Sequence, residues 1–244
     1  MDVGKIEESE IPVGIAVAWG LRDRPGKGPK PALSLPRIVQ AGLDVARADG
    51  LAAVSMARVA KEVGVSTMAL YRYVAAKDVL LELMQDAAYG PPPEATADQD
   101  WRAGLTEWSW AILHAIRRHP WVLQIPVSGA PLLPNQITWL ERGLTCLSGT
   151  GLAESEKLSV VMLLSGYVRQ WAGLSIAVGA AGPDQAARYA KTLARVIDPV
   201  RFPAVSAAMA AGAVNDEWDD GDTEFVFGLD RVLDGIAALT HARS

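Results

Sequence analysis

Ser55-Met-Ala-Arg-Val-Ala-Lys-Glu-Val-Gly-Val-Ser-Thr-Met-Ala-Leu-Tyr-Arg-Tyr-Val74 is the stretch whose spacing decides the architecture. Ser55 is placed to cap a helix whose inner face is Val59, Ala60 and Val63, and Gly64 closes it where a left-handed residue costs little. Two residues on, Ser66 caps another helix carrying Met68, Leu70, Tyr71 and Val74. Short helices joined by so tight a turn cannot lie antiparallel and must cross steeply, which is helix-turn-helix geometry. In that motif the second helix offers its first turn to the DNA major groove, where small or hydrogen-bonding residues without negative charge are needed. Ala69 stands where a capping box would place Glu, which keeps a carboxylate away from phosphate. Thr67 and Met68 can reach base edges, and Arg72 and Tyr73 lie a turn further on, where they can reach backbone or base. Lys77 opens the next helix, where it can neutralise a phosphate, and Ser55 can donate to one. Singly, Leu70, Tyr71 and Val74 are ordinary core, and Arg72, Tyr73 and Lys77 an ordinary solvated face. Their joint spacing points to DNA.

Outward from this motif the helical period continues. A helix over about 36–48 starts near Pro36, buries Ile38, Ala41, Gly42, Val45 and Ala46, and stops at Asp49-Gly50. A fourth helix, about 78–89, runs to Gly90 and Pro91-Pro92-Pro93. Beyond it, Trp101, Leu105, Trp108, Ile112, Leu113 and Ile116 mark a helix ending at His119-Pro120, and Ile137, Leu140, Leu144 and Leu147 mark one behind Asn135. An apolar helix runs from Glu154 or Ser155 to about Val178, another from Pro183-Asp184 to about Val196, and a last one over about 223–240 carries an a/d-like seam. The acidic run Asp216 to Glu224 reads as an exposed loop. No strand alternation and no internal repeat occurs, so the expected fold class is all-α.

Ahead of the motif, Arg22-Asp-Arg-Pro-Gly-Lys-Gly-Pro-Lys-Pro31 denies itself helix or central-strand pairing, and residues 1–32 are expected to form a flexible basic arm. Arg22, Arg24, Lys27 and Lys30 can lie along phosphates or in an adjacent minor groove, with a disordered tail as the alternative. Between Arg22 and Lys77 ten Lys or Arg stand against four acids, a local charge of +6 in a chain of net −5. A basic block in an acidic protein places one end against a polyanion.

The 244 residues, half of them apolar and 21% charged, suffice for a sizeable core. A lone Cys146 excludes an internal disulfide. The longest uncharged run, His119 to Leu140, is broken by four prolines and is no membrane span. The start lacks the basic region of a secretory signal, so a cytoplasmic protein is expected. His114, His119 and His241 form no metal spacing, and there is no nucleophile elbow or phosphate loop, so neither an enzyme nor a cofactor is expected.

The stretch from Leu35 to Leu83, with Ala60, Gly64, Val65, Ala69-Leu-Tyr71, Val74 and Lys77-Asp78, resembles the DNA-binding domain of TetR-family transcriptional regulators. Trp101, His119-Pro120-Trp121, Pro134-Asn135, Trp139-Leu-Glu141, Gly149-Thr-Gly-Leu152 and the segment Phe225 to Ala238 are similar to the tetracycline-repressor-like C-terminal class of that family. The resemblance covers about residues 33–240. It implies an all-helical homodimer that binds a palindromic double-stranded operator and releases it when a small molecule enters the C-terminal domain. By position it implies DNA contacts at Ser55, Ala57, Thr67, Met68, Ala69, Tyr71, Tyr73 and Lys77. Ala57 and Ala69 are too short for most polar base contacts, which leaves contact with a thymine methyl.

The expected organisation is an arm over 1–32, a helix-turn-helix domain over 33–78, and an effector-binding and dimerisation domain over 79–244. Within the last, Trp108, Trp110, Trp139 and Trp171 are candidates to line a cavity for a large apolar or aromatic effector, with His114, Gln124, Asn135 and Tyr167 to orient it. Each is equally a core residue or, for Asn135, a helix cap. The last helix and the helix over about 155–178 are the expected dimer surface, with Gly166, Gly173 and Ser175 permitting close approach. The rival readings are a helical DNA-binding dimer without an effector and a small-molecule-converting enzyme.

Overall fold

The computed structural model describes residues 11–21, 33–94, 99–126, 129–180, 185–213 and 222–243, and every regular element among them is helical. The chain divides into two compact units, residues 1–148 and 149–244. Among the described residues no helix is long and apolar enough to cross a membrane.

The first unit is built around α2 (Leu35–Asp49), α3 (Met56–Val63), α4 (Thr67–Tyr71) and α5 (Lys77–Tyr89), preceded by a short α1 (Val13–Ala18). Pro36 sits in the first turn of α2, where its missing N–H costs nothing, and Gly50 ends the helix at φ +81°. Ile38, Val45, Val54, Val59, Leu70, Val74, Leu80 and Met84 are almost wholly buried and form one core shared by α2 to α5. Gly42 is the contact point of α2 with α5: a Cβ there would stand 2.6 Å from Met84 Sδ. Behind this core α6 (Trp101–Arg118) opens on Asp100, whose carboxylate accepts from Ala103 N at 2.9 Å, and ends at His119. Next comes α7 (Pro134–Cys146).

Composition assigned everything before Leu33 to a flexible arm, and the structure differs over residues 13–18. Gly14 of α1 lies against Val79 of α5, Ala16 is buried, and Trp19 Nε1 donates to the Leu132 carbonyl at 2.7 Å. The helix is six residues long and its apolar residues form no readable stripe, so only tertiary packing selects it. Arg22, Arg24, Lys27 and Lys30 lie outside the described residues.

The second unit consists of α8 (Glu154–Ala180), α9 (Gln185–Val196), α10 (Pro203–Ala210) and α11 (Asp222–His241). Periodicity misses α10 because none of its residues is buried, and an Ala-rich helix without a buried face leaves no 3.6-residue signature. The antiparallel pair α8 and α11 is joined by Tyr167, which stacks on Phe225 at 5.6 Å and donates to its carbonyl at 2.7 Å. Gly228 gives the ring its room, since a Cβ there would collide with the phenol. At the other end Arg243 pairs with Glu156 at 2.6 Å. Of the acidic run Asp216 to Glu224, only the last three residues are described, and they begin α11.

Candidate nucleic-acid interface

Local chemistry builds the motif as its spacing requires. Ser55 Oγ accepts from Arg58 N at 3.1 Å to cap α3, and Ser66 Oγ accepts from Ala69 N at 3.3 Å to cap α4. Between them Gly64 takes φ +76°, its N–H bonds to the Lys61 carbonyl, and Val65 N–H reaches back to the Ala60 carbonyl. This Schellman arrangement stops α3 in a single residue and turns the chain at once into α4. Arg58 links α3 to the end of α2 through Asp49 at 3.2 Å and pairs with Glu62 at 3.0 Å.

The short α4 then divides into two faces. Leu70 and, just beyond the helix, Val74 are fully buried, whereas Met68 is 75% and Tyr71 45% exposed. Ser55, Ala57, Arg72 and Lys77 are exposed, and Thr67, Ala69 and Tyr73 are half-buried. From Val63 to Lys77 no acid interrupts these exposed and half-buried positions. Tyr73 stands apart: its hydroxyl donates to the Leu33 carbonyl at 3.1 Å, pinning the end of the motif to the start of α2. Its donor is therefore engaged within the protein.

Sequence reading missed Asp86. On α5 it lies three residues beyond buried Leu83, on the same inward stripe, and it is itself only 8% exposed. Its carboxylate accepts from Gln136 N at 2.9 Å, Asn135 Nδ2 at 3.0 Å and Asn135 N at 3.4 Å, so an acid from α5 caps the first turn of α7. Burial pushes its pKa above the ordinary carboxylate value, against the lowering effect of these bonds. Gln85 Nε2 donates to the Val122 carbonyl and Trp139 Nε1 to the Gly90 carbonyl, at 3.2 and 2.8 Å. The helix that leaves the motif is fastened along its C-terminal half to the rest of its unit. An acid at a core position of an apolar helix was the available signal.

Six of the candidate effector residues belong to the first unit, and Tyr167 and Trp171 to the second. Trp108 is 1% exposed and its Nε1 donates to the Trp139 carbonyl at 2.9 Å, with the two rings edge to face at 6.2 Å. Asn135 Nδ2 is spent on Asp86, and Tyr167 on the carbonyl of Phe225 in the second unit. Trp110 lies beside the exposed His114 at 5.5 Å, Gln124 is exposed, and Trp171 is half-buried on α8. Cys146 is half-buried against Arg142, and burial raises its thiol pKa. Among the described residues no group of three or more His, Cys, Asp or Glu is placed to hold a metal ion.

With this geometry in view, known proteins supply the class. Residues 38–84 match the family model for bacterial regulatory proteins of the tetR family, and residues 92–240 match that for the tetracyclin repressor-like C-terminal domain. The chain belongs to the tetR family of transcriptional regulators. Among individual relatives, it is 35% identical to the HTH-type transcriptional repressor DrrR1 of Streptomyces coeruleorubidus, over 94% of this chain and 86% of that one. Apo ActR from Streptomyces coelicolor superposes with a TM-score of 0.74 at 26% identity, covering 88% of this chain and all of that one. ActR solved in complex with actinorhodin gives a TM-score of 0.70 at 26% identity, covering 86% and 97%.

Proposed function

We propose that the chain is a ligand-responsive repressor that binds a palindromic operator as a homodimer and is released by a small-molecule effector. The observation that carries the DNA half is the acid-free stretch from Val63 to Lys77, in which Met68, Tyr71, Arg72 and Lys77 are exposed and Thr67 and Ala69 half-buried, with exposed Ser55 and Ala57 at the start of α3. In this reading Thr67 and Met68 meet base edges, Ser55, Arg72 and Lys77 meet phosphates, and Tyr73 positions the motif through Leu33. The arm residues Arg22, Arg24, Lys27 and Lys30 add sequence-independent charge.

Dimerisation is assigned to α8 and α11. Leu158, Met162 and Leu163 on α8 and Val226, Phe227 and Leu239 on α11 are exposed although apolar, and between the helices runs a groove of about 490 Å³ lined by Ser159, Leu163, Val232 and Gly235, among others. An apolar face of this kind suits a second copy of the same pair, related by a two-fold axis. The effector reading rests on Trp101, Trp108 and Trp110 of α6 with Trp139 of α7, and on the relative solved with actinorhodin bound. The fastening of α5 to α7 through Asp86 offers a route from effector to motif.

The test is a titration of an operator, recovered by selection from random duplex DNA, with the full chain at several salt concentrations. Specific binding by two chains is expected. Lys77→Ala is expected to lower affinity across sequences and reduce the logarithmic salt slope by about 1. Replacing Arg22, Arg24, Lys27 and Lys30 together by Ala, which leaves α1 in place, is expected to reduce both affinity and slope; no change in either would remove the arm from the interface.

A further inference from the structure

The reading face of α4 is chemically unusual for a surface meant to tell base pairs apart. Purine edges are read by side chains with paired donors or a donor and an acceptor, chiefly Arg, Lys, Asn and Gln. None stands among Ser55, Ala57, Ser66, Thr67, Met68, Ala69 and Tyr71. Ser55 and Ser66 already spend an oxygen lone pair on capping their helices. What the face does offer is Met68, the most exposed large apolar side chain described in the first unit, flanked by half-buried Thr67 and Ala69. The inward position of the same helix is filled by Leu70, which leaves Met68 outside the core. The one apolar feature a major groove presents is the C5-methyl group of thymine.

We propose that Met68 is a specificity-determining residue that reads a thymine by its methyl group, once in each half-site. The inference rests on the DNA-binding reading and adds the chemistry of its recognition. An unbranched, polarizable thioether adapts to the position of a methyl group without demanding one hydrogen-bond geometry. The acid-free stretch from Val63 to Lys77, with exposed Arg72 and Lys77 toward its C-terminal end, brings the side chain to the groove with favourable charge. Readout is then by the presence of a methyl, so 5-methylcytosine presents the same group where cytosine does not.

The experiment uses the full chain and a duplex recovered by selection from a random library. Each thymine of the recovered site is replaced in turn by uracil, which removes only the methyl. For the natural chain at least one thymine per half-site is expected to lose about fourfold in affinity, the worth of one buried methyl. Met68→Ala is expected to bind more weakly and to treat thymine and uracil alike at that position, while Met68→Leu keeps the preference. Both variants change an exposed side chain, and equal melting temperatures confirm that they fold. Indifference of the natural chain to every uracil, or a thymine preference retained in Met68→Ala at every position, overturns the inference and leaves DNA binding standing. Failure to enrich any duplex overturns both.

Discussion

At the scale of single residues, two side chains separate architecture from recognition. Tyr73 lies in the motif, but its hydroxyl is bonded to the Leu33 carbonyl. Tyr73→Phe is expected to lower stability by about 1 kcal/mol in urea unfolding and to leave the salt slope of DNA binding unchanged. A hydroxyl that contacted DNA directly would instead lower affinity on removal without lowering stability. Asp86 is a buried carboxylate held by Gln136 and Asn135. In Asp86→Asn at least one N–H of the α7 first turn loses its acceptor, and a loss of about 1–3 kcal/mol at neutral pH is expected. The pH dependence has a definite sign. Burial raises the folded-state pKa above the ordinary 3.8, so the folded state binds the proton more tightly than the unfolded one. This contribution grows as pH falls through the folded value toward 3.8 and is smallest above it. Urea melts between pH 4 and 7 should therefore show the natural chain gaining on Asp86→Asn as acid is added. The core position of Asp86 on an apolar helix marks it in the sequence, but its partner 50 residues away and that of the Tyr73 hydroxyl 40 residues away leave no local trace.

At the scale of elements, the helix-turn-helix was legible because local chemistry alone dictates it. Ser55, Gly64 and Ser66 start, stop and restart helices with their own atoms. The long helices α6, α8 and α11 were legible through the spacing of their buried residues. What stayed hidden were elements without either signal: α1, too short to show a period, and α10, with no buried face. Gly42 shows how one residue sets a helix contact. Helix propensity alone favours Ala there, yet its Cβ would meet Met84 Sδ at 2.6 Å. Gly42→Ala is expected to destabilise the first unit by about 1–3 kcal/mol through overpacking between α2 and α5, measurable by thermal or urea unfolding. A gain in stability would mean that Met84 swings aside freely.

At the scale of the whole molecule, the charge asymmetry and the exposed apolar faces assign separate tasks to separate parts of the chain. The basic block precedes and includes the motif, whereas the apolar surface of α8 and α11 belongs to the second unit. The sequence pointed to both, but an apolar seam reads alike whether it faces its own core or a second chain. Tryptophan and tyrosine likewise read alike in a core and in a cavity wall, and Trp108, Trp139 and Tyr167 here give their polar hydrogens to backbone carbonyls of neighbouring elements. Leu163, 55% exposed, distinguishes the uses of the seam. In the proposed dimer, Leu163→Asp should leave each chain folded but bury a carboxylate in the apolar seam, raising the dissociation constant by at least about 30-fold in sedimentation equilibrium. Unaltered association would move the interface elsewhere.

Hydroxyl-radical footprinting of the complex between the full chain and its selected duplex tests the central claim most directly. Two protected patches related by a dyad and one helical turn apart, about 34 Å, with two chains per duplex and loss of both patches in Lys77→Ala at moderate salt, are the predicted result. A single patch occupied by one chain, or protection without preferred positions, would contradict it.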